Sequence, residues 1–174
     1  ILLSHPSLHD PNFSKSIVFL SNHSEEDGTM GVILNRPIGK KLCQLDDQFK
    51  HFSIGDAHVY EGGPVDREKL IIAAWDWKDS AESFRLHFGV DISKAESLCE
   101  ENKNIRIACF LGHSGWSPGQ LEDELKVDSW VLSSLSLDIF KQIKAKSECW
   151  KSAISGVSDE MFLMANAPDN PQIN

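Results

Sequence analysis

The sequence predicts an α+β fold with a curved, mainly antiparallel sheet. Three observations carry this reading. Strand-like segments come early and pair as hairpins, helical patterns gather later, and the two do not alternate as a doubly wound parallel sheet requires. A length of 174 residues suits one domain with a real core, expected to span 1–174. No internal repeat or linker divides it.

Residues 15–21 read as a strand rich in Ile17, Val18 and Phe19. Residues 22–29 are polar and contain Asp27-Gly28, a turn signal, before a second strand over 30–35, so the pair reads as a hairpin. Pro37 lacks an N–H and is expected to stop the ladder. A helical turn over 42–49 precedes a strand over 57–61, which enters Gly62-Gly63-Pro64. Further strands are expected over 70–75 and 84–90. Ser93 and Glu96 have capping-box spacing and open a helix with Ala95, Leu98 and Cys99 inward.

Residues 105–111 form the most apolar strand, expected at the centre of the sheet. A glycine-rich loop from Gly112 to Trp116 follows, then a short helix with Ser117 at N-cap, Pro118 at N1 and Gln120 at N3. Trp116 and Leu121 are placed to staple that helix start. A strand near 130–132 and one or two helices through Val157 come next, with Trp150, Ile154 and Val157 on one face. A closing strand over 160–165 and an irregular tail over 168–174 complete the reading.

Charge bounds the partners. Twenty-six acids against seventeen bases give a formal charge of −9. Duplex binding needs lysines and arginines to neutralise phosphates, so direct DNA readout is disfavoured. Lys141, Lys144, Lys146 and Lys151 read as one solvated helical face. The acidic balance suits a basic protein partner. No apolar run is long enough to span a membrane as a helix.

The cysteines, Cys43, Cys99, Cys109 and Cys149, contain no CxxC pair, which argues against a zinc knuckle or a thioredoxin-like centre. Cys109 alternates with Ile107 and Leu111 as a buried small hydrophobe does. A Cys99–Cys109 redox pair is the competing reading. Reduced cysteines in a cytoplasmic protein are the simplest account. His5 and His9 are four apart, but Pro6 and Pro11 make a helix a poor explanation, and no metal or cofactor is assigned.

The stretch from Gly112 to Glu122 is the most informative. A hydrolase elbow needs G-x-S-x-G, and around Ser114 the final glycine is replaced by Trp116. Adjacent strand residues point to opposite faces, which carries His113 away from Ser114. No catalytic residue is therefore assigned. The candidate surface comprises Asn35 and Arg36, then Gly62, Gly63 and Pro64, then Gly112, Gly115, Trp116, Gly119 and Gln120. All three segments follow strands and are expected to lie together. Arg36 is also placed to pair with Glu61.

Four ordered motifs then carry a resemblance. They are Pro6-x-Leu8-x-Asp10-Pro11-x-Phe13, Gly31-Val32-x-Leu34-Asn35-Arg36-Pro37, Gly62-Gly63-Pro64-Val65, and Gly112-x-x-Gly115-Trp116-x-x-Gly119-Gln120-Leu121-Glu122-x-Glu124-Leu125. Together they resemble the YqgE/AlgH family over essentially the whole chain. The resemblance implies a barrel-like sheet surrounded by helices in a cytoplasmic bacterial protein, with no established activity or cofactor. Some members are described as transcriptional regulators. His113 and Ser114 depart from the family's usual aromatic and small residues, so the family supplies no serine at 114.

Two readings of function follow. The first is a non-catalytic regulatory or interaction protein acting through protein contacts. The second is a small-molecule binder or hydrolase-like enzyme using a cleft between the three candidate segments.

Overall fold

The hairpin forms where the apolar residues place it and runs further than they do. In the computed structural model, which describes residues 1–78, 83–136, 139 and 147–167, β2 (Ile17–Ser24) pairs antiparallel with β3 (Gly28–Ile33). The ladder continues through the polar residues Asn22 and His23, because backbone rungs do not require apolar side chains. The short β1 (Leu2–Ser4) joins the outer side of β2. Three residues gave too little pattern to read.

β4 (Pro37–Lys41) begins at Pro37 instead of being stopped by it. This strand ends the sheet with β5 (His58–Glu61) as its neighbour, and at an edge or a strand start the missing N–H costs little. Between them lie α1 (Leu42–Leu45) and two 3-10 turns, Asp47–His51 and Ser53–Asp56. The long β6 (Val65–Lys78) and β7 (Ser83–Val90) pair antiparallel.

The helix α2 (Ile92–Glu101) is capped by Asp91, whose carboxylate accepts from the Lys94 N–H at 2.7 Å, so the expected Ser93 cap is corrected. Glu96 reaches away from its own helix and accepts from the Ser53 and Ile54 N–H groups at 3.0 and 2.9 Å. It ties α2 to the preceding turn.

β8 (Arg106–Trp116) is the hub, parallel to β5 and antiparallel to β3 and β6. The nine strands among the described residues form one sheet in the order β4-β5-β8-β3-β2-β1-β9, with β6 on β8 and β7 on β6. Here β9 is Trp130–Leu132, as expected. The helices α3 (Gln120–Lys126), α4 (Ser147–Ser155) and α5 (Asp159–Asn166) pack around this sheet. The expected closing strand is α5: Ser158 caps it by accepting from the Met161 N–H, and acids occupy its first turn.

Both faces of β8 are covered, which is why its sequence reads as continuously apolar. Ala108 and Phe110 join Leu3, Ile17, Val32, Leu34 and Tyr60 beneath Trp150 and Ile154 of α4. Cys109 joins Leu42, Ile54, Val59, Ile72 and the Ala95 of α2 on the other side. Trp150 also donates its indole N–H to the Ser4 carbonyl at 2.9 Å. Val157, expected on the same buried face, lies past the end of α4 and is 42% exposed. Lys141, Lys144, Lys146 and the tail lie outside the described residues.

Candidate functional site

Where β5 ends, its backbone passes from one neighbour to another. Gly62 donates its N–H to the Leu111 carbonyl at 2.8 Å, and its own carbonyl accepts from the Ile33 N–H at 2.9 Å. The Ser114 hydroxyl donates to the same carbonyl at 3.2 Å. One step back, the Glu61 N–H donates to the Arg36 carbonyl at 2.9 Å. The segments carrying Asn35 and Arg36, Gly62 and Gly63, and Gly112 to Ser114 do meet.

They meet as packed backbone. Asn35, Gly62, Gly63, Gly112 and Ser114 are all buried. A Cβ on Gly62 would collide with the Gly112 carbonyl oxygen, so the crossing requires glycine. The expected glycine-rich loop over 112–116 is itself strand, because β8 continues to pair with β3 through Trp116. Ser114 sits in this ladder without solvent access and is spent on a carbonyl.

Asn35 does structural work of the same kind. Its side-chain oxygen accepts from the Ile17 N–H at 2.8 Å and its amide donates to the Lys15 carbonyl at 2.9 Å. The amide thus supplies backbone partners at the start of β2, where Lys15 has φ 56°. Arg36 is half-buried and donates to the Ser14 carbonyl at 3.2 Å. Burial lowers its pKa, while the charges of Glu61 and Asp10 pull it back up. Nearby, Arg67 donates to the Asn12 side-chain oxygen at 3.3 Å. Two arginines therefore hold the loop from Asp10 to Ser14 against the crossing.

Phe13, from that loop, enters an aromatic box. Its ring lies 6.0 Å from Trp116 and 5.4 Å from Trp130, the latter edge-on. Both indole N–H groups donate to one oxygen of Glu124, at 2.9 Å from Trp116 and 2.7 Å from Trp130. The other oxygen accepts from the Gln120 amide at 2.9 Å. Gln120 in turn accepts from the Ser117 N–H at 3.0 Å.

Half the expected capping box is present, but α3 starts at Gln120 and its N-cap is Gly119, at φ 78°. Trp116 and Leu121 share a buried cluster, as the staple requires. The role of Glu124 was missed. Its signal was a carboxylate four residues beyond Gln120, between two tryptophans that need acceptors once buried.

The exposed part of the candidate surface is narrower. Gly115, Gly119 and Gln120 are exposed and Pro64 is half-buried. Pro118, Gly119, Gln120, Asp123, Glu124 and Val127 line a shallow groove of about 520 Å³ along α3. Val127 is 71% exposed there.

Three cysteine thiols outside the crossing are raised by burial. Burial pushes the Cys109 thiol up to about 12 and Cys149 up to about 11, and raises Cys99. His113 Nδ1 is buried without a partner among the described residues.

Residues 1–161 match a family model described as DUF179, AlgH-like. The chain belongs to the AlgH-like family. Among relatives, it is 31% identical to a UPF0301 protein of Chlorobium phaeobacteroides, covering 100% of this chain and 94% of that protein. A UPF0301 protein of Streptomyces avermitilis is 30% identical over 100% of this chain and 93% of its own length. The AlgH-like fold is also seen in a crystal structure of a Corynebacterium diphtheriae protein, with TM-score 0.67, 20% identity, and 95% and 90% of the two chains covered. The solution structure of the AlgH protein from Pseudomonas aeruginosa aligns at TM-score 0.60 and 22% identity, over 97% and 93%.

Proposed function

We propose that this chain is a non-catalytic interaction protein of the cytoplasm that exerts any effect on transcription through a protein partner. One observation carries the reading. The motif segments that sequence offered as a cleft are filled by their own backbone at the Gly62–Gly112 crossing. The Ser114 hydroxyl within that crossing is fully buried and donates to a carbonyl. Nucleophilic catalysis needs the opposite, an accessible oxygen held by a base.

Of the candidate surface, the part open to contact runs along α3, where the exposed Val127 lies beside Asp123 and Glu124. With a formal charge of −9, the complementary partner presents an apolar residue flanked by lysine or arginine. Asp123 is already paired with Lys126 at 2.7 Å, so the apolar contact supplies affinity and the charges supply orientation.

The test is complementation of a strain lacking the gene. Val127→Asp and Asp123→Lys alter exposed side chains and are expected to fold with wild-type melting curves yet fail to complement. Full complementation by both variants would remove this surface from the proposal.

A further inference from the structure

We draw no further inference here: the strongest candidate, the shallow acidic groove along α3 lined by Pro118, Asp123 and Val127, belongs to the surface already described, and nothing in the structure shows what covers it.

Discussion

Glu124 shows how one side chain can decide several elements at once. Its carboxylate accepts from Trp116 on β8, Trp130 on β9 and Gln120 on α3. Glu124→Ala strands two indole donors and is expected to cost about 2–4 kcal/mol, partial exposure keeping it from costing more. Glu124→Gln retains one acceptor and is expected to cost about half as much. Urea melts of the two variants check the ordering, and equal losses would contradict it. Cysteine reactivity is a second test. Folding holds the Cys109 proton more tightly than the unfolded chain does, with the thiol near 12 against an ordinary 9.0. Its contribution to stability is therefore full below about pH 9 and falls as pH rises toward 12. At pH 8 iodoacetamide should leave Cys109 unmodified in the native protein and label it in urea, as mass spectrometry of the peptides would show.

The starts and ends of elements mark how far local sequence could be read. The centre of β8 was readable because an apolar run with both faces covered leaves little alternative. Its extension from Gly112 to Trp116 was not, because glycines signal a turn unless a neighbouring backbone is known to press against them. Ser93 and Glu96 made a sound capping box by spacing, yet Asp91 two residues earlier took the cap and Glu96 bonded the 3-10 turn at Ser53. Only the tertiary position of that turn could reveal this. The same logic changes the expectation for the α3 start. Ser117→Ala should alter stability by less than about 0.5 kcal/mol, since no cap bond from its hydroxyl holds the helix. Gly119→Ala should cost about 1 kcal/mol, the price of a side chain at φ 78°. Thermal melts giving the reverse order would place the cap at Ser117 after all.

The fold as a whole brings together motifs separated by a hundred residues, and it does so to build a scaffold. Phe13, Asn35, Arg36, Gly62, Gly112 and Trp116 are linked through the crossing, the arginine contacts and the aromatic box. Sequence could suggest that the Asn35, Gly62 and Gly112 segments meet, because each reads as following a strand, although Gly112 lies within β8. It could not predict that no space remains between them, since packing of backbone on backbone has no signature beyond glycine itself. The net charge of −9 belongs to the molecule rather than to any element, and it leaves little counterion release to drive duplex binding. A filter-binding titration with a random 20-base-pair duplex in 150 mM salt is expected to show no saturable binding. If the crossing supports the fold and does no chemistry, as proposed, Ser114→Ala shows it within one variant. Loss of a buried hydroxyl bond should lower stability by about 1 kcal/mol, and the protein should still complement a strain lacking the gene. A Ser114→Ala protein that melts like wild type and fails to complement would contradict the account.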